Sequence, residues 1–302
     1  KVQRLFRRHA FVRRFPGHRG MALNDLRWAA PRTGAFCLLM KYARLWLILI
    51  SLLLGLLAWQ VLVALRNYPS FILPAPLAVG TRFVQALRDG SLLRHTAVTL
   101  AEVLSGLALG VGVATLLGYL LARSLPLERL LSPYIIASQA IPVVAIAPLL
   151  VIWFGPGMFS KVLICALIVF FPVLINTVVG VRSVPADLRD LLRSLRATRW
   201  QTLRLLEAPA ALPVFLGGLR VGATLAVIGA VVGEFVGAKS GLGFLINVGR
   251  GLYDTALVFV AVFTLVALAL ALYGLVAWLE SRLLAWQRLP EDILEKGEKH
   301  SE

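Results

Sequence analysis

The chain is poor in charge: of 302 residues only 15% are Asp, Glu, Lys or Arg, where soluble domains carry roughly a quarter. Acidic residues are scarcer still, 15 against 31 Lys and Arg, which leaves a formal net charge of +16. Two cysteines, Cys37 and Cys165, cannot build a disulfide framework, and no Cys/His spacing matches a zinc site. The four histidines (His9, His18, His95, His300) are scattered, so no Ser/His/Asp or paired-carboxylate arrangement can be argued. What remains is apolar: 59% of residues are hydrophobic and the mean hydropathy is +0.83. This composition argues against a water-soluble enzyme. Excess positive charge alone suggests nucleic acid or an anionic membrane surface. The charge, however, is segregated from the apolar residues.

Apolar residues come in blocks of membrane length. Leu45 to Leu65 holds 21 residues without a charge, Val103 to Ala122 holds 20, Leu130 to Ser160 holds 31, Val162 to Val181 holds 20 and Thr255 to Leu279 holds 25. A further block, Ala208 to Gly233, is broken only by Arg220. About 20 helical residues cross a hydrocarbon core of roughly 30 Å. The pattern predicts an all-α polytopic membrane protein with six spans, near residues 45–65, 98–122, 131–153, 162–181, 214–236 and 255–279. The prolines Pro133, Pro142, Pro148 and Pro156 suit one kinked third span with an irregular extension.

Sorting Lys and Arg by connection gives 23 on one side and 7 on the other, counting Lys161 as a connection and leaving Arg220 inside a span. The positive-inside rule then places both termini and the 182–207 loop in the cytoplasm. Residues 1–40 read as a basic extension with one acid, Asp25. Such a segment is a lipid-binding arm, or a disordered stretch preceding a natural start at Met40. Residues 41–289 form the six-span domain and 290–302 a charged cytoplasmic tail.

Within the spans, Gly106 and Gly110, Gly218 and Gly222, and Gly229, Gly233 and Gly237 recur at four-residue spacing. That pattern lets helix backbones approach closely in lipid. Polar residues inside spans are candidates for a translocation path: Ser138, Gln139, Asn176 and Glu234, with Gln139 and Asn176 equally suited to holding helices together. Arg220 reads as snorkelling to the headgroups. The segment Gly233 to Ser240 nearly fits a phosphate-binding loop, but it has Ala238 where Gly is needed and follows a helix rather than a strand. If ATP is used, another chain must bind it. Neither inverted repeats nor paired intramembrane acids support the alternative of an ion-coupled secondary transporter.

The 182–207 loop carries more information than a connector. Leu188, Leu191, Leu192 and Leu195 fall on one helical face, with Arg189, Arg193 and Arg196 on another. Pro185 suits the first turn. Thr198 and Gln201 form a capping box for a second short helix that carries Trp200 and Leu203 and that Pro209 stops. Leu, Trp and Arg exposed in this way suit either docking to a partner or lying on headgroups.

The stretch from Asp190 through Arg196-Ala197-Thr198-Arg199-Trp200 to Ala208-Pro209 resembles the EAA loop of ATP-binding-cassette importer permeases. The resemblance runs from about Tyr68 to Arg288 and includes Gly218-Leu-Arg220, Gly233-Glu-Phe235, Ser240-Gly-Leu-Gly243 and Asp254. It is closest to the subgroup for nitrate, taurine, sulfonates, thiamine-pyrimidines and riboflavin, with a lean to the last two. Here Asp190 stands for the motif's Glu, Leu191 and Leu192 for its alanines, Arg196 for its turn Gly and Ala208 for its last Leu.

The resemblance implies a type I, MetI-like permease fold in a bacterial inner membrane. It implies no cofactor or catalytic residue in this chain, and three partners: a dimer of ATPase subunits, a periplasmic or lipid-tethered solute-binding protein, and a second permease copy. On this reading Asp190 meets a basic residue of the ATPase, Leu195 and Trp200 are packing anchors, and Arg193, Arg196 and Arg199 are rim contacts.

Overall fold

A computed structural model describes residues 33–66 and 68–287. Residues 1–32 of the basic extension and the tail from 288 on lie outside the described residues. The chain divides into two units, Lys1–Ala58 and Trp59–Glu302. The first unit is helical over its described residues, the opening part of α1 (Thr33–Arg66), so this helix begins twelve residues before the charge-free run that predicts it.

In the second unit every described element is a helix or turn. A short amphipathic helix, α2 (Pro76–Arg88), opens with Pro at its first position, where no backbone donor is lost. It precedes the long apolar α3 (Ser91–Arg123). The third predicted span is two helices, α4 (Leu125–Gln139) and α5 (Val143–Phe154), bent by 94° at a break capped by Pro142. The kink expected from the prolines is therefore a sharp corner. Pro142 cannot continue the ladder from α4, and it disfavours helical backbone at the residue before it.

Next come α6 (Met158–Arg182), the two loop helices α7 (Ala186–Ser194) and α8 (Arg199–Thr202), a π turn over Leu203–Glu207, and α9 (Ala208–Phe235). The unit closes with α10 (Leu242–Gly251) and α11 (Thr255–Leu283). Among the described residues five helices are long and apolar enough to cross a membrane, six candidate spans if the bent α4–α5 pair counts as one.

The centre of the second unit is α6, packed against α3 on one side and α9 on the other. Glycine makes both contacts close. A Cβ at Gly106 would collide with that of Cys165, and one at Gly110 would lie 2.7 Å from the Ala166 carbonyl oxygen. On the other face, a Cβ at Gly229 would lie 2.8 Å from Cys165 Cα, at Gly233 3.2 Å from Lys161, at Gly222 3.2 Å from Val169 and at Gly218 2.6 Å from Asn176. Val103, Cys165, Val169, Ala223, Ala226 and Ala230 fill the space between and are buried. Gly237 does not belong to this stripe. It lies two residues beyond the end of α9, with nothing closer than 3.8 Å to its would-be Cβ.

Two side-chain ties run to α11, one from α2 and one from Trp59 of α1. Arg82 of α2 donates to Asp254 at 2.7 Å, and Asp254 also caps α11 by accepting from the Leu257 amide at 3.0 Å. Trp59 stacks on Phe259 with ring centroids 5.3 Å apart.

Candidate functional site

The loop between α6 and α9 is built by local signals. Asp187 sits in the first turn of α7 and Arg193 in the last, each complementing the helix dipole. The helix ends in a Schellman motif: the Ala197 amide donates to Leu192 O at 3.0 Å and the Arg196 amide to Arg193 O at 2.9 Å. This motif puts Arg196 in the left-handed region, φ 55°, where glycine is cheapest. Two residues on, Thr198 Oγ1 accepts from the Gln201 amide at 3.3 Å while Gln201 Oε1 accepts from the Thr198 amide at 2.7 Å, a complete capping box.

Pro209 does not stop the second helix. The chain runs on without a break from Arg199 to Phe235, 37 residues, because a π turn precedes the proline. The Ala208 amide reaches back to Leu203 O. This wider turn accommodates a ring that would strike the carbonyl four residues earlier in an α-helix. The α-helix α9 itself starts at Ala208, six residues ahead of residue 214, where the fifth span is expected to begin.

Among the described residues the loop presents apolar side chains without a partner: Leu191 is 55% exposed, Leu195 68% and Trp200 67%. Asp190 and Arg193 pair with each other at 3.0 Å on this surface, both largely exposed. Leu192 and Ala197 are half-buried, Arg196 and Arg199 exposed.

Beneath the loop lies a carboxylate that residue patterns do not reveal. Glu207, the last residue of the π turn, is fully buried. Arg123 at the end of α3 holds it at 2.9 Å, Tyr119 Oη donates to it at 3.4 Å, and Arg189 Nε of α7 stands 3.8 Å away. Arg189 also donates through Nη2 to Val181 O, near the end of α6, at 2.6 Å. Close by, Arg182 of α6 grips Glu128 of α4 with two bonds, 2.7 and 2.5 Å.

A second buried network sits toward the opposite ends of the same helices. Lys161 of α6 donates to Glu102 of α3 at 2.6 Å. Glu234 of α9 accepts from Thr99 Oγ1 at 2.6 Å and from the Gly243 amide. Thr99 in turn accepts from the Leu242 amide at 2.8 Å, and His95 Nδ1 from the Gly241 amide at 2.9 Å. These three side chains satisfy the open amides at the start of α10, and the Glu234 carboxylate suits that positive helix end. Lys161, counted with the connections above, is thus a buried residue of α6, 5% exposed.

The polar residues singled out in the spans are placed as follows. Glu234 is 1% exposed and caps α10, so it lines no open path. Asn176 donates to Pro172 O at 2.8 Å and packs against Gly218. Ser138 donates to Ile135 O at 2.8 Å, and it and Gln139 are exposed at the α4–α5 corner. Arg220 does not snorkel freely: it pairs with Glu280 of α11 and lies 5.1 Å from the Tyr273 ring centroid. A cavity of about 650 Å³ between α3, α6, the π turn and α9 is lined by Val111, Thr115, Leu116, Tyr119, Leu212 and Phe215 among others, none of them charged.

The family of binding-protein-dependent transport system inner membrane components matches residues 110–285. The chain belongs to it. This multi-pass permease is 53% identical over 238 residues to the riboflavin transport system permease protein RibX of Chloroflexus aurantiacus, covering 79% of this chain and 89% of that one. It is 36% identical to the formylaminopyrimidine transport permease protein ThiX of Halalkalibacterium halodurans (76% and 91% covered). It is 33% identical to the putative aliphatic sulfonates transport permease protein SsuC of Bacillus subtilis (76% and 83% covered). The inward-facing MetNI methionine ABC transporter shares the fold, with a TM-score of 0.57 at 19% identity over 65% of this chain and 97% of that one. The architecture is thus the MetI-like fold of ABC importers. The permease works with a separate ATPase subunit, which hydrolyses the ATP, and with a solute-binding protein.

Proposed function

We propose that the permease imports a heterocycle of the riboflavin or thiamine-pyrimidine type, delivered by a periplasmic or lipid-tethered binding protein across a bacterial inner membrane. The observation that carries this reading is the 53% identity to a riboflavin permease, against 33% to a sulfonate permease. The uncharged cavity beside Tyr119 and Phe215 supports it further. Aromatic rings gain from such a lining, whereas a sulfonate or nitrate would leave its charge unpaired there. Uptake of tritiated riboflavin by vesicles holding the full transporter tests the substrate; uptake of taurine without riboflavin overturns it.

Coupling to the ATPase runs through residues 182–209. Leu191, Leu195 and Trp200 form the apolar docking face, flanked by Arg193, Arg196 and Arg199, and Asp190 exchanges Arg193 for a basic residue of the ATPase. A second copy of this permease completes the pathway. What supports the docking reading is an unpartnered Leu/Trp face on a loop rigidly capped at both of its short helices. Cysteine cross-linking of residue 195 to the ATPase subunit tests it.

A further inference from the structure

Glu207 and Arg189 face each other across an unfinished contact. Glu207 Oε1 and Arg189 Nε are both buried and, among the described residues, both without a hydrogen-bond partner, yet they stand 3.8 Å apart. A displacement of about 1 Å would bring them to charge-assisted bonding distance. The groups around them are committed: Arg123 and Tyr119 hold the other carboxylate oxygen, and Arg189 Nη2 holds Val181 O. A cavity of about 480 Å³, lined by Arg123, Arg189, Arg193 and Glu207 among others, gives α7 room to shift toward α3. A shielded carboxylate oxygen and a shielded guanidinium N–H that stand close without a bond are costly to maintain, so a second arrangement in which they meet is favoured once the loop moves.

We propose that Glu207 is a positioning residue through which the loop helix α7 moves α3 as well as α9, by a clasp to Arg189 that closes during the transport cycle. The chain of α7 into α9 is covalent, but α3 is joined to it at this end by the carboxylate: Arg123 ends α3, Glu207 ends the π turn and Arg189 belongs to α7. Without the clasp, α7 acts on Glu207 and Arg123 only through α8 and the π turn, a longer path than the direct contact of Arg189. The inference rests on the coupling role proposed above for the 182–209 loop.

The test uses the assembled transporter in lipid vesicles, with spin labels at Val113→Cys in α3 and Ser194→Cys in α7, compared without nucleotide and with ATP and vanadate. The distance between labels should hold within about 2 Å in the parent protein, because α3 follows the loop. In Arg189→Gln, which leaves the Arg123–Glu207 pair in place, it should change by clearly more than the parent's range of about 2 Å. Glu207→Gln should do the same, and the double variant no more than either single one. A parent distance that itself shifts beyond about 2 Å, or an Arg189→Gln distance that holds like the parent's, overturns the clasp. The Ser194 label separately reports the coupling reading: if its mobility is unchanged by the ATPase subunit, the loop does not dock and that reading fails, whatever the two helices do.

Discussion

Lys161 donates to Glu102 at 2.6 Å with both side chains essentially out of solvent. Glu102 and Arg123 are 21 residues apart in α3, and Lys161 and Arg182 are 21 apart in α6. The two helices therefore carry charges at matching levels, one layer toward each end, separated by roughly 30 Å of helix. Arg123 and Arg182 meet Glu207 and Glu128, while Lys161 meets Glu102, so charge closes the helix bundle at both levels.

A buried pair of this kind is costly to break and cheap to replace. Lys161→Met leaves Glu102 unpaired beside the Glu234 network and should destabilise the permease by about 3–5 kcal/mol. Replacing both partners, Lys161→Met with Glu102→Leu, should restore most of that loss. Thermal unfolding in detergent measures both. A double variant as unstable as the single one would show that the pair serves more than mutual neutralisation.

The contact of α6 with α9 depends on the absence of a side chain at Gly229. Its Cβ would lie 2.8 Å from Cys165 Cα, a backbone atom that cannot rotate away. Gly229→Ala should force the helices apart at a cost of about 1–3 kcal/mol, the range for overpacking. Gly217→Ala is the control, since nothing lies within 4 Å of its would-be Cβ. Fluorescence-detected size exclusion should show a reduced monodisperse peak for the first variant and a parental peak for the second.

Features set by neighbours in sequence were legible before the structure. The apolar runs marked the spans, the Leu188-Leu191-Leu192-Leu195 face marked α7, and Thr198 with Gln201 marked the cap of α8, all interactions spanning a few residues. Features set by distant partners were not. Counting charge-free runs makes Lys161 a boundary, because its burial depends on Glu102, 59 residues earlier. Glu207 looks like one more loop charge until Arg123 is placed beside it. Pro209 misled for a different reason: the rule that proline ends a helix assumes an α ladder, and the π turn removes that premise.

Arg196 occupies a left-handed position that its side chain makes costly, by roughly 1–2 kcal/mol relative to glycine. Both Schellman bonds of the α7 end use backbone groups alone and survive substitution. Arg196→Gly should therefore stabilise the permease by about 1 kcal/mol, and Arg196→Val should destabilise it by more, since a β-branched residue fits that region least. Unfolding temperatures in detergent rank the three proteins. An Arg196→Gly variant less stable than the parent would mean that the guanidinium makes a stabilising contact of its own.

Asp190 and Arg193 form an exposed i,i+3 pair, with 66% and 78% of their side chains in solvent. Such surface pairs contribute about 0–1 kcal/mol, so the carboxylate can leave Arg193 for a desolvated partner at little cost. Reversing its charge is then a test of docking rather than of folding. Asp190→Arg should leave the unfolding temperature within a degree or two of the parent's, about what a change under 0.5 kcal/mol produces. In vesicles containing the ATPase subunits it should uncouple ATP hydrolysis from uptake, because a cation now faces the ATPase's basic residue. Asp190→Asn, which removes the charge without reversing it, should fall between. A variant with parental stability and parental coupling would place the ATPase contact elsewhere on the loop, with Leu195 and Trp200 the next residues to change.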